Sequence, residues 1–325
     1  MQMAKEYRQY LFSKKTNKFI QPLDGLVAFE QDLRQKGTTW SPIWNRYADY
    51  VAEIIRHYSD ILILKPSEFE NYQNLYFNGL TADEIKSKDW QTPKSKVSFY
   101  EKLVNIMHYK DVRSSEMISY IKKLDIKTCI YCNSQYTATI HISSTEVKGG
   151  YQLDHFYPKS RYPFLCISFF NLQPTCGCCN NWKNEQPGLF NLYTDDPIND
   201  KINPFKFSLS AASIVRYMLS QDAHDLSINF ESSDLALLTN HEKLFHVSRL
   251  YENFKDEAEE LLWKQKTNNK VFIQQLQKSF TKLFPNHVHN FHRFLYGLYE
   301  LEKDIHRKPL TKMQQDIARQ LGIIK

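Results

Sequence analysis

The chain has 325 residues, enough for one large core or two to three modest ones, and more than one domain is expected. Aromatic residues make up 14% while glycine and proline number only 9 and 12, a composition that favours helices over a turn-rich β-sandwich. The formal net charge of +6 suits an anionic partner such as nucleic acid without requiring one.

The opening stretch lacks the apolar run and small-residue cleavage site of a secretory signal, and no run is long enough to span a bilayer. A cytoplasmic protein without membrane contact is expected, its six cysteines reduced and serving metal binding or burial rather than disulfides.

In chain order, the first predicted element is a helix opened by Ser41 as N-cap and Pro42 at the first helical position. Ile43, Tyr47, Val51, Ile54, Ile55 and Tyr58 follow at helical spacing. Residues 95–108 and 114–124 repeat the pattern, the latter with Ser114 or Ser115 as cap, and these aromatic stripes are read as core.

The period then changes. Tyr136, Ala138 and Ile140 alternate with polar residues as a strand does. Ser143 to Gly150 reads as a turn into a second strand at 151–155, so a hairpin between these two is predicted. Turn chemistry continues from Pro187-Gly188 through Asp195-Asp196-Pro197 to Asn203-Pro204. Beyond it Leu244, Val247, Leu250, Tyr251, Phe254 and Ala258 form one face of a single long helix, and 271–284 and 289–303 read as two more.

All six cysteines lie between Cys129 and Cys179. Cys129-Ile-Tyr-Cys132 and Cys176-Gly-Cys-Cys179 are two CxxC pairs, each able to present two thiolates to one tetrahedral ion. Four soft ligands favour structural zinc, and the alternative is four cysteines buried as small hydrophobes. Cys178 adjoins Cys179, but only Cys179 stands at the CxxC distance from Cys176. Cys166, inside the apolar run 164–170, is read as core.

Between the pairs lies "LDHFYPKS" with Asp154 and His155, then Asn171 in "NLQPTCGCCNNWK", with Asn180 and Lys183 beyond the last cysteine. Alone, Asp154-His155 would be a polar strand edge. In this order, between the cysteine pairs, the stretch 127–188 resembles the HNH, or ββα-metal, endonucleases in their zinc-stapled form. The resemblance implies an α+β fold, with mainly helical arms around a central ββα-metal core that carries a four-cysteine zinc site. It suggests three segments: 1–125 helical, 126–190 the nuclease core, and 191–325 helical.

An imidazole ordinarily titrates near neutrality, so the resemblance makes His155 the expected general base. Asp154 and Asn180 would offer oxygen ligands to a catalytic Mg2+ or Mn2+. Asn171 is expected to orient the loop after His155 by bonding its backbone. Lys159, Arg161 and Lys183 are placed to hold phosphates, with solvated surface charge as the alternative. The glycine common after the final lysine is Asn184 here, and Asn181 and Asn184 offer competing oxygens. His141 is read as a surface imidazole, and His287, His289 and His292 fall outside the frame.

The activity so implied is hydrolysis of DNA phosphodiester bonds. A nuclease core inside a larger helical protein is similar to nuclease components of bacterial anti-phage systems, including the Septu-type pairing with an ATPase. The chain has no G-x-x-x-x-G-K-[ST] motif, so ATP dependence would come from another subunit. The helical arms are assigned to DNA binding, self-association into a homo-oligomer, or partner docking. Alternatives are a free-standing restriction or mobile-element nuclease, an RNA or tRNA nuclease, and a catalytically silent zinc module that binds nucleic acid.

Overall fold

The computed structural model describes residues 1–13, 21–90, 96–114, 116–143, 147–193, 203–267 and 269–324. Helices predominate among them, with three two-stranded antiparallel sheets. The chain divides into two compact units, Met1–Leu124 with Thr139–Asp200, and Asp125–Ala138 with Lys201–Lys325. The stretch 126–190 expected as one module is therefore shared between them.

The first unit begins with helices α1 (Gln2–Ser13), α2 (Pro22–Thr39) and α3 (Ile43–Ile61). Helix α3 buries Tyr47, Val51, Ile54 and Tyr58 of the predicted stripe while Ile43 is exposed and Ile55 half-buried, and the residue before its first turn is Pro42, with no cap from Ser41. Short helices α4 (Phe69–Tyr76) and α5 (Ala82–Lys86) follow. Helix α6 (Phe99–Ile106) is opened by a capping box in which Ser98 and Glu101 bond each other's backbone amides. Helices α7 (Tyr109–Ser114) and α8 (Glu116–Leu124) complete this part. Ser114 ends α7 instead of capping the next helix, and Ser115 lies outside the described residues.

Strands β1 (Thr139–His141) and β2 (Val147–Gly149) pair with each other. The predicted hairpin is thus corrected, because the strand that carries Asp154 and His155, β3 (Gln152–His155), pairs antiparallel with β4 (Leu172–Thr175). Tyr136, expected in the first strand, forms only an isolated bridge to Thr128. After β4 comes α9 (Gly177–Lys183), so β3, β4 and α9 make a hairpin followed by a helix.

The long connection between β3 and β4 enters the aromatic core of the helical region. Tyr7 donates to the Ile167 carbonyl at 2.6 Å, the Phe169 amide donates to the Leu62 carbonyl at 2.9 Å, and Phe164 stacks on Phe77. Cys166 is fully buried here, with its sulfur 3.6 Å from that of Met107, and burial pushes its thiol up to about 12. The N-terminal helices therefore act as the scaffold that fixes the loop behind His155.

In the second unit β5 (Phe205–Leu209) pairs with β6 (Ile228–Ser232), a hairpin in a region expected to be purely helical, and α10 (Ala211–Ser220) lies between the two strands in sequence. The expected long helix over 244–258 is instead α11 (Leu235–Phe245), α12 (Val247–Tyr251) and α13 (Lys255–Thr267). His246 breaks it by adopting φ +48°, and the Glu242 side chain accepts from the Ser248 amide to start α12. Leu244, Val247, Tyr251 and Ala258 remain buried, so the apolar period holds while the axis turns.

Helix α14 (Lys270–Leu283) matches the expectation for 271–284. The helix expected over 289–303 shrinks to α15 (Phe291–Tyr296), ended by Gly297 at φ +72°. Helix α16 (Thr311–Gln320) was not expected. Its Asp316 accepts from the Phe207 amide at 2.9 Å, and its Gln320 bonds both the amide and the carbonyl of Leu209 at 2.8 Å, so side chains satisfy the open edge of β5. The turn signals around 195–197 lie outside the described residues.

Candidate functional site

Strand β3 ends on Asp154 and His155, and both line a cavity of about 500 Å3 together with Tyr109, Arg113, Gln152, Lys159, Asn180 and others, all from the first unit. His155 is 6% exposed. Its Nε2 lies 3.0 Å from the Cys166 carbonyl, which can only accept, so Nε2 carries the proton and Nδ1 is the basic nitrogen. The Tyr109 ring packs 4.7 Å from the imidazole. Burial, and after it the charge of Lys159, lowers the His155 imidazole to about 3, so the ring is neutral at physiological pH.

Asp154 is 4% exposed and pairs with Lys183, whose ammonium lies 3.0 and 3.2 Å from the two carboxylate oxygens. The same ammonium donates to the His155 carbonyl at 2.8 Å. Lys183 is itself fully buried, and burial lowers its affinity for the proton although Asp154 opposes the shift. Neither role foreseen for Lys183, phosphate holder or surface charge, matches this position, since its stem runs inward from the last turn of α9 and its head is occupied by Asp154.

Asn171 is fully buried at the start of β4. Its Oδ1 accepts from the Tyr157 amide at 2.7 Å, and its Nδ2 donates to the carbonyls of Tyr157 and Leu165 at 3.1 Å. It thus ties the loop leaving His155 to the loop returning from the core, and it contributes nothing to the cavity wall. Asn180, one turn into α9, lines the cavity and bonds the Gln152 side chain. Asn181 and Asn184 also line it. Asn184 adopts φ +46° with ψ −122°, outside the left-handed helical region and in one that favours glycine, which accounts physically for a glycine after the lysine in the pattern it departs from.

Lys159 lines the cavity with its ammonium over the Tyr109 ring, whereas Arg161 is exposed and outside the lining. Arg113 lines the cavity and was not anticipated. It falls between the stretches 95–108 and 114–124 read for apolar period, and nothing local marks it. His141 sits on β1, which pairs with β2 and not with the strand of Asp154. His292 bonds the Glu300 carboxylate at 2.7 Å.

Among the described residues, the donor atoms of Cys129, Cys132, Cys176 and Cys179 lie within 4.8 Å of one another, and all four residues are buried. Four sulfurs around a tetrahedral zinc stand about 3.8 Å apart, so the set fits such a metal. Cys178 is exposed and outside the cluster, in keeping with the regular CxxC spacing. Cys176 caps α9, its sulfur accepting from the Cys179 amide at 3.5 Å. The Cys129–Cys132 turn is held within the second unit, where Tyr251 donates to the Cys132 carbonyl at 2.8 Å and His241 bonds the Tyr131 carbonyl at 2.9 Å. Asn133, at φ +51°, closes the turn by bonding Thr128, the Ile305 carbonyl and the Lys312 amide.

Three buried histidines make stability depend on pH. His155 is lowered to about 3, and His241 and His306 to about 4, in each case mainly by burial. The unfolded chain therefore binds more protons below about pH 6.5, and stability falls as pH drops through that range. At pH 5 each such histidine costs about 2 kcal/mol relative to pH 7. Thermal melts are expected to lose midpoint steadily from pH 7 to pH 5, and His306→Gln is expected to lose less than the parent. Equal loss in both would remove His306 from the account.

No protein-family model, curated protein or solved structure matches the chain. Among the described residues no helix is long and apolar enough to cross a membrane.

Proposed function

We propose that the chain is a metal-dependent endonuclease of the HNH kind that hydrolyses phosphodiester bonds in DNA. The observation that carries the reading is the shared cavity: an aspartate, a neutral histidine and an asparagine, drawn from β3 and α9, line one wall. A polar strand edge has no need of that convergence, nor of the buried Lys183 and Asn171 that hold Asp154 and the adjoining loop in place.

In this reading His155 takes the proton of the attacking water through Nδ1, while its Nε2 stays fixed on the Cys166 carbonyl. Asp154 and Asn180 are the residues that would hold Mg2+ or Mn2+ through their side-chain oxygens. Such an ion, when bound, supplies positive charge to the phosphate and to the departing 3′ oxygen. Lys159 and Arg113 supply fixed positive charge at the same wall. Cys129, Cys132, Cys176 and Cys179 are the residues that would hold zinc, whose role would be structural and outside the chemistry. By resemblance the products carry 5′-phosphate and 3′-hydroxyl ends, and the protein acts with a separate ATPase in anti-phage defence.

The test is incubation of the purified chain with plasmid DNA and, in parallel, RNA, with Mg2+ or Mn2+. Cleavage of DNA that EDTA stops, and that is lost in His155→Ala, is the expected result. Cleavage of RNA alone would replace the substrate, and absence of cleavage with the partner ATPase present would leave a nucleic-acid-binding zinc module.

A further inference from the structure

Between Glu260 and Glu300 the sequence contains no aspartate or glutamate, yet it carries Lys264, Lys266, Lys270, Lys278, Lys282 and Arg293. This one stretch of the second unit holds an excess of positive charge equal to that of the whole chain, +6, so the remainder is balanced. Such segregation is unlike a solvated helical face, where both signs normally alternate.

Helix α14 gives the charge a geometry. At helical spacing Lys278 and Lys282 fall on one side with Gln274, Gln275 and Ser279, and all five are exposed. The face offers hydrogen-bond donors and cations with no carboxylate among them. The opposite side carries Ile273, Leu276 and Phe280, which are half-buried or buried. Phe280 is 7% exposed and has Phe284 and Phe294 packed around it, with centroids 5.2 and 5.1 Å away, yet these two rings are 48% and 58% exposed. Two open aromatic rings thus rest on a buried one beside a cationic helix.

We propose that α14 and the adjoining Phe284 and Phe294 form a docking surface for single-stranded DNA. The lysine face takes the sugar-phosphate chain, and the two phenylalanines stack on bases. Charge complementarity favours a polyanion, and exposed rings favour one whose bases are unpaired. A lipid surface is the competing occupant, because Val271, Phe272 and Leu283 of the same helix are also exposed, and vesicle binding is therefore an outcome of the test. The surface lies within the second unit and does not depend on the nuclease reading of the first.

The experiment is fluorescence anisotropy of a labelled oligothymidylate titrated with the full-length chain, with no divalent ion added, over a series of salt concentrations. Lys278→Glu/Lys282→Glu is expected to weaken binding about tenfold or more, and to flatten the dependence of log affinity on log salt by about 1.4. Phe284→Ala/Phe294→Ala is expected to weaken binding about tenfold or more with the slope unchanged. The control Lys5→Glu/Lys110→Glu makes the same change of charge at exposed sites in the first unit and is expected to bind as the parent does. Equal weakening in that control, parental binding by both test pairs, or binding of phosphatidylserine vesicles in place of the oligonucleotide would each overturn the proposal. Cleavage assays on the same variants keep this outcome separate from that of the nuclease reading.

Discussion

His155→Ala is expected to lower Mg2+- or Mn2+-dependent DNA cleavage by about 10²- to 10⁴-fold, the usual contribution of a positioned general base. The size follows from how little else at the cavity could replace it. Lys183 is already committed to Asp154 and the His155 carbonyl, and Glu185, the other carboxylate of the lining, is paired with Lys86. Affinity for DNA is expected to stay within about twofold, because the cationic residues of the wall are untouched. Melting of the variant alongside the parent separates lost chemistry from lost fold. Unchanged cleavage in a folded His155→Ala protein would remove the imidazole from the mechanism.

The second large effect concerns stability. Lys183→Met leaves the Asp154 carboxylate, 4% exposed, without its counter-ion, and the expected loss is about 3–5 kcal/mol in chemical denaturation. Asp154→Asn/Lys183→Met removes both charges and is expected to recover a large part of that loss. Millimolar Mg2+ is expected to raise the midpoint of Lys183→Met more than that of the parent, since a cation held by Asp154 restores the missing charge. If the single and double variants were equally stable, the ion pair would not be what fixes Asp154.

The helical stripes of the first 124 residues were legible because apolar spacing reports which face is buried, and Tyr47, Val51, Ile54 and Tyr58 are indeed inside. Pairing was not legible. Alternation predicts a strand over 151–155 and β3 occupies 152–155, but its partner is the distant 172–175, whose Pro174 and buried Gln173 disguise a strand buried along its whole length. The β5–β6 pair leaves a trace in the sequence, since Phe205, Phe207 and Leu209 alternate with Lys206 and Ser208, but the helix between the strands hides which segments pair. The break at His246 depends on a left-handed residue that carries no glycine to announce it.

At the site, the resemblance of 127–188 to the HNH pattern marked Asp154, His155 and Asn180 as candidates, and these line one cavity. The role of Lys183 was not accessible from spacing, because whether a lysine points outward or inward from the last turn of a short helix is decided by tertiary packing. Arg113 and Tyr109 were likewise invisible, being distant in sequence and brought to the cavity by α7.

The most direct test is anomalous diffraction from crystals grown with Mn2+, measured at the zinc and manganese absorption edges. We predict a zinc peak enclosed by Cys129, Cys132, Cys176 and Cys179, and a separate manganese peak bonded to the oxygens of Asp154 and Asn180 next to His155. Manganese seated elsewhere, with Asp154 still bonded to Lys183, would contradict the proposal that this aspartate and asparagine hold the hydrolytic ion.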